Sequence, residues 1–284
     1  MIETPFLSRL IPATAALLLA ACGTQQPPQP AAESTAVTET AAATITAPSQ
    51  LVDLTYSFGT NTIYWPTDVD GFGFEILAAG QTDAGYYYAA NRFSSAEHGG
   101  THIDAPIHFA EGRSTVDNIP LSRLVAPGVV IDVRDRAVVD RDYEVSVADF
   151  EAWEAIHGRL DDGVIVLLHT GYGRYWSDRE RYLGTIRTGP EAVPELHFPG
   201  LGPATAEWLI AERNIAAIGL DTPSIDRGQS TLYESHVALF KAEIPAFENV
   251  ANIDQLPPKD FMVVALPMKI EGGSGAPLRI IAYW

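Results

Sequence analysis

Residues 97–109 read EHGGTHIDAPIHF, and this stretch restricts the fold more than any other. Three of the seven histidines fall between positions 98 and 108, with an aspartate between the second and third. Gly99, Gly100 and Pro106 rule out one continuous helix. In an extended chain, residues of one parity share a face, so His98, His102, Asp104 and His108 would point the same way. Fully extended, the span 98–102 covers about 13 Å. Two atoms that share one ion sit only about 3–4 Å apart. The backbone therefore has to fold back between His98 and His102, and Gly99-Gly100 permits that bend. His102 and Asp104 can stay neighbours on one extended face, with Ile103, Ala105 and Ile107 directed into a core. Imidazole and carboxylate are the donors that Zn, Mn and Fe accept in open catalytic sites. The bland alternative is a histidine-rich strand making ordinary hydrogen bonds.

A second group of donors lies far downstream. Thr231 reads as a helix start, with Glu234 completing a capping box. On that helix Leu232, His236 and Leu239/Phe240 share a face by i, i+4, i+7/8 spacing. Glu248 follows in IPAFENVANIDQLP, an apolar, proline-bounded segment where a carboxylate needs a cation or strong donors to offset desolvation. Alone, His236 reads as a satisfied core histidine and Glu248 as a capped or paired acid. Beside the first cluster, both become candidate ligands.

Composition narrows the chemistry. The lone cysteine, Cys22, can build neither an internal disulfide nor a thiolate metal site, so any ion must be held by nitrogen and oxygen. Asp+Glu total 36 against 18 Lys+Arg, a net charge of −18. Such a chain is unsuited to nucleic acid, whose phosphates need a basic surface. With 46% hydrophobic and 19% charged residues, the chain has the makings of a core rather than of a disordered segment.

The amino end reads as an address. Residues 10–21, LIPATAALLLAA, suit the apolar centre of a signal peptide better than a membrane span. Leu19-Ala20-Ala21-Cys22 resembles the bacterial lipobox, whose cysteine is lipidated. The expected organisation is a lipoprotein signal peptide over 1–21, a flexible Ala/Thr/Pro-rich tether over 22–50, and a single folded domain over 51–284. That implies a lipid-anchored protein of the bacterial cell envelope, touching the membrane only through its anchor. From Leu51 onward, β-branched runs at 128–133, 164–168, 215–220, 261–266 and 278–283 read as strands. Ser146 is expected to cap a helix burying Phe150, Trp153 and Ile156, ending at Gly158. Pro203 is expected to start another, through Trp208 and Leu209. Alternating strands and helices give an α/β domain.

The segment 98–109, DTPSID at 221–226, His236 and PAFENVANIDQLP at 245–257 resemble the cyclase family of metal-dependent hydrolases, which includes bacterial kynurenine formamidase and isatin hydrolase. DLTYSFGTNTIYWPTD at 53–68 is similar to that family's opening strand and Trp-Pro loop. The resemblance covers Leu51 to the C-terminus. It implies a single compact cyclase-like (swivelling β/α) domain with a mixed sheet and packed helices, usually dimeric. It further implies that His98, His102 and Asp104 hold one divalent ion, Zn or Mn. Asp104 would bridge to a second ion held by His236, with Glu248 shared. His108 would be the general acid/base and Trp65 a substrate contact. The implied reaction is cleavage of a small-molecule amide by metal-activated water, of the arylformamidase type acting on N-formylkynurenine-like substrates in tryptophan catabolism. Glu248 favours that branch, since the isatin branch is expected to carry an amide there.

Three alternatives remain at this point. One is a cyclic amide or lactone hydrolase of the isatin type. Another is a non-catalytic lipid-anchored protein that binds a metal or solute. The third is a serine hydrolase built on Gly272-Gly273-Ser274-Gly275-Ala276, although Pro277 deprives that motif of its strand–turn–helix setting. His169, His197 and Arg174 are further residues that could line the cleft. His157, at a helix end, is assigned no chemistry.

Overall fold

A computed structural model describes residues 47–284. The signal segment, Cys22 and the tether up to residue 46 lie outside the described residues. The last tether positions join the domain, because the Ser49 and Gln50 N–H groups both donate to the Trp284 carbonyl, at 2.9 and 3.0 Å.

The chain begins its sheet with β1 (Leu51–Asp53), then forms a hairpin from β2 (Gly73–Gln81) and β3 (Tyr87–Ser94). Next come β4 (His102–Asp104), β5 (Val125–Asp132), β6 (Glu144–Val145) and α1 (Val147–His157). They are followed by β7 (Ile165–His169), β8 (Gly200–Leu201), α2 (Pro203–Glu212) and β9 (Ala217–Leu220). The chain ends with α3 (Glu234–Lys241), β10 (Ala246–Glu248), β11 (Phe261–Pro267) and β12 (Gly275–Tyr283). The main sheet has the order β1-β12-β11-β5-β7-β9-β10-β4, and β12 also pairs with β4. Seven strands therefore close into a ring with β1 outside it. Strands β5, β7, β9 and β10 run parallel, while the pairings through β4, β11 and β12 are antiparallel. This is the mixed sheet with packed helices that the sequence leads one to expect.

Closure explains the continuous apolar runs. On β7, Ile165 and Leu167 belong to a core fed by all seven ring strands, while Val166 and Leu168 pack with the helices. A strand buried on both faces must be apolar at every position. Helix α1 forms as the sequence indicates, with the Ser146 N–H and Oγ–H both donating to Asp149 Oδ2 at 2.8 and 2.7 Å. Phe150 and Trp153 are buried, but Ile156 is 78% exposed, contrary to expectation. A step of three residues falls about 60° short of a full turn. Two such steps from Phe150 carry Ile156 past the edge of the buried stripe.

Helix α3 is also corrected. It starts at Glu234 rather than Thr231, with Tyr233 in the left-handed region (φ 50°) and no side-chain cap of its own. Leu232 is exposed and outside the helix, so the buried face is formed by Ser235, His236, Leu239 and Phe240. The exposed hairpin β2–β3 pairs as a separate two-stranded sheet. No strand is expected at 73–94 from the sequence.

Leu167→Ala, inside the ring, should lower stability by roughly 2–5 kcal/mol, whereas Ile156→Ala should stay within about 0.5 kcal/mol of the parent. Urea denaturation of the two variants checks this. Equal losses would contradict the assigned burial.

Candidate metal centre

Strand β4 is the keystone of the site because it lies between β10 and β12. Its register sets His102 opposite Glu248 and Pro277, and Asp104 opposite Ala246 and Gly275. His102 and Asp104 alternate with Ile103, so both face away from the core while Ile103 and Ala105 are fully buried in it. The preceding turn brings His98 back. Gly100 has φ +57°, a conformation that glycine adopts at no steric cost. Gly99 is needed for a different reason, since a Cβ there would lie 2.1 Å from the Tyr64 ring. After Asp104, the turn Pro106–His108 returns His108, whose ring stacks on His98 at 3.8 Å with an 18° interplanar angle.

Asp104 is where the imidazoles meet. Its Oδ1 lies 2.7 Å from His98 Nδ1 and 3.1 Å from His102 Nε2, and its Oδ2 lies 3.3 Å from His236 Nε2. Glu248 closes the far side, with Oε2 at 3.4 Å from His102 Nε2 and Oε1 at 3.2 Å from His236 Nε2. His102, Asp104, His236 and Glu248 are all buried. Two groupings have donor atoms mutually within 4.8 Å, His98–Asp104–His108 and His102–Asp104–Glu248, and Asp104 belongs to both. The structure thus sets His102 beside Glu248 rather than only beside His98.

The polar atoms around the histidines orient them. His102 Nδ1–H donates to the Gly100 carbonyl at 3.0 Å. A carbonyl can only accept, so Nδ1 keeps its hydrogen and Nε2 is the nitrogen free to bind elsewhere. That Nε2 is buried with no hydrogen-bond partner. A buried ring nitrogen of this kind, beside two carboxylates, fits a proton or a cation. His236 Nδ1 is held at 2.5 Å by Asp226 Oδ2, which turns Nε2 toward Asp104 and Glu248, and a carboxylate behind a histidine is a frequent arrangement at metal centres. Asp226 also accepts the backbone N–H groups of Ser235 and His236, each at 3.1 Å. This distant carboxylate supplies the cap that Thr231 and Glu234 do not. Asn249 Nδ2 donates to the same Gly100 carbonyl at 2.7 Å. Neither Asp226 nor Asn249 is given a role by the sequence reading, although both lie in segments it singles out.

Electrostatics follow from the crowding. Burial works to raise Asp104, but His98, His102 and His236 hold it well below the ordinary carboxylate range. Burial, and then the Asp104 charge, pushes Glu248 up. Burial works to lower His102, yet Asp104 and Glu248 prevail and hold it at about 9. His236 is also raised well above the usual histidine value, burial being outweighed by Asp104, Asp226 and Glu248. His108 goes the other way. Burial brings it down to about 4, the pull of Asp104 being offset by the neighbouring imidazoles.

These groups floor a cavity of about 350 Å³ whose walls include Ile63, Tyr64, Trp65, Phe109 and Tyr233. Trp65 faces Tyr233 edge-on at 6.4 Å, and Phe109 lies 5.2 Å from the Tyr233 ring. His169 and Arg174 line a separate cavity. His197 pairs with Asp142 at 2.7 Å, away from the site. His157 packs on Trp153. Ser274 is in contact with His98, in an arrangement unlike a nucleophile elbow.

The family model described as "Putative cyclase" matches residues 52–227. An isatin hydrolase of Roseibium aggregatum is 32% identical over 206 residues, covering 70% of this chain and 76% of its own. A kynurenine formamidase of Salinibacter ruber is 27% identical over 231 residues, covering 81% and 96%. Isatin hydrolase A from Ralstonia solanacearum has a solved structure that aligns with a TM-score of 0.73 at 34% identity, over 82% of this chain and 91% of that one.

With both pKa values raised, His102 and His236 each favour holding a proton that an incoming ion would have to displace. Zinc uptake at pH 7 should therefore release about two protons, read from the buffer dependence of the calorimetric heat. Because both pKa values are raised, affinity should climb with pH until His102 is passed near 9. Affinity that stays flat between pH 6 and 9 would refute this assignment.

Proposed function

The chain belongs to the cyclase family of metal-dependent hydrolases, and we propose that it cleaves the amide bond of an arylformamide of the N-formylkynurenine type. The observation that carries this reading is the partnerless His102 Nε2, buried between Asp104 and Glu248 at the floor of an aromatic cavity. His98, His102, Asp104, His236 and Glu248 are the assigned ligands of one or two divalent ions, Zn or Mn. When bound, such an ion supplies Lewis acidity that polarises a carbonyl and brings the pKa of coordinated water toward ~7.

The chain's own residues supply the rest. His108, held neutral at pH 7 by burial, can accept the proton given up by attacking water. It can then pass that proton to the leaving amine. Its stacking on His98 fixes the plane in which it acts. Trp65, Phe109 and Tyr233 offer flat apolar surfaces to an aromatic ring, and Trp65 is the assigned substrate contact. The likeness to isatin hydrolases favours a second reading, the opening of a cyclic amide or lactone. Glu248 argues for the formamide.

Metal-reconstituted protein should turn over N-formylkynurenine faster than isatin or simple lactones. His108→Ala should keep its metal and lose roughly 10²- to 10⁴-fold in kcat. Faster turnover of isatin would transfer the assignment to the second reading. A His108→Ala variant of nearly full activity would remove His108 from its role.

We also place the protein on the bacterial cell envelope through a lipid on Cys22. Support comes from the Leu19–Cys22 motif and the apolar run at 10–21 that precedes it. A homodimer is proposed from the β2–β3 hairpin. Phe74, Ile76, Tyr87 and Phe93 on it are each more than half exposed, and a lone two-stranded hairpin is marginal in water. Cys22→Ala should move the protein from the membrane to the soluble fraction, where it should sediment as a dimer. Membrane retention of that variant, or a monomer, would overturn the respective proposal.

A further inference from the structure

His98 Nε2 lies 2.9 Å from Ser274 Oγ. Ser274 donates twice to Glu97 Oε2, from Oγ–H at 2.6 Å and from its backbone N–H at 3.0 Å. A hydroxyl has only one proton to give. With that proton directed at Glu97, Ser274 Oγ is an acceptor toward His98, so His98 carries a hydrogen on Nε2. Its Nδ1 lies 2.7 Å from Asp104 Oδ1 and is the ring nitrogen left to take an ion. The same division holds at the other two histidines around Asp104. His102 has Nδ1 tied to Gly100, His236 has Nδ1 tied to Asp226, and each aims Nε2 at the aspartate.

We propose that Glu97 and Ser274 are positioning residues that lock His98 in its Nε2–H tautomer and so present Nδ1, not Nε2, to the divalent ion. The inference rests on the metal-dependent reading given above and adds to it the residues that select the ligating atom. Ring closure puts Ser274 in place. It directly precedes Gly275, which pairs with Asp104, and its carbonyl accepts the Ala105 N–H at 2.9 Å. One segment thus braces β4 and supplies the hydroxyl for His98. Because His108 stacks on His98, locking the one ring also fixes the other. The serine of the Gly-rich segment 272–276 acts through its lone pair, as an orienting acceptor.

The test uses full-length, zinc-loaded protein with ¹⁵N-labelled histidine, read by long-range ¹H–¹⁵N correlation and by zinc affinity in competition with a chelator. Wild type should show His98 protonated on Nε2 with Nδ1 carrying the zinc shift. Ser274→Ala should lose that defined tautomer and bind zinc about 10- to 100-fold more weakly, with its circular dichroism and melting curve unchanged. Glu97→Gln can donate an amide proton to Ser274 Oγ and reverse the chain, so it should weaken zinc similarly. His98 protonated on Nδ1 in wild type would overturn the proposal even if neither variant folds. So would variants whose affinity and His98 signals match the parent. A wild-type protein that takes up no zinc would overturn the metal reading and this inference with it.

Discussion

The organisation of the centre follows from one buried carboxylate. Asp104 is almost fully removed from solvent and is approached by nitrogen atoms of three histidines at 2.7–3.3 Å. A second buried acid, Glu248, shares two of those histidines. Two carboxylates cannot both stay ionised in so dry a place without compensating positive charge. Protons on His102 and His236 are one form of it, and a divalent ion is the other. The proton-bearing state of the free protein and its affinity for metal are therefore two views of the same electrostatic demand.

The fold meets that demand by closing its sheet. An open sheet ending at β10 would leave Glu248 on an edge. Adding β4 against β10 sets His102 beside Glu248, and pairing β4 with β12 brings Gly275 and Ser274 to Asp104 and His98. Closure also pairs β4 on both sides, so the strand that carries His102 and Asp104 presents no open edge. The chain accordingly gathers donors from positions 98, 102, 104, 108, 236 and 248 around a point that no single helix or strand could surround.

Parts of this were legible in the sequence because they depend on local rules. The parity of His102 and Asp104, the bend at Gly99-Gly100 and the continuous apolar runs follow from strand geometry, and the strands at 125–132, 165–169, 261–267 and 275–283 lie where those runs fall. Ser146 and Asp149 cap α1 as their spacing indicates. What could not be read depends on contacts across the chain. Asp226 takes the cap of α3 from Glu234, and Ser274 reaches His98 across 176 positions. The hairpin of residues 73–94 gave no clear signal, because its alanines, glycines and exposed aromatics follow neither a strand alternation with one buried face nor a helical period. Ile156 shows the limit of counting in threes, since the drift of an i+3 series accumulates with each step.

The late start of α3 has a cause in the site itself. Had the helix begun at Thr231, Tyr233 would have helical backbone and its ring would leave the cavity wall it shares with Phe109 and Trp65. The Asp226 carboxylate would also meet N–H groups already satisfied within the helix, and would lose its reason to lie beside His236 Nδ1. Instead Tyr233 accepts a left-handed conformation (φ 50°), which costs a non-glycine residue roughly 1–3 kcal/mol. That cost is offset by the aromatic contacts of its ring and by the two backbone hydrogen bonds given to Asp226. Four consecutive residues, Tyr233 to His236, thereby carry a wall of the cavity, the start of a helix and a metal-facing imidazole. The shape of the substrate cavity and the aim of His236 are mechanically one feature.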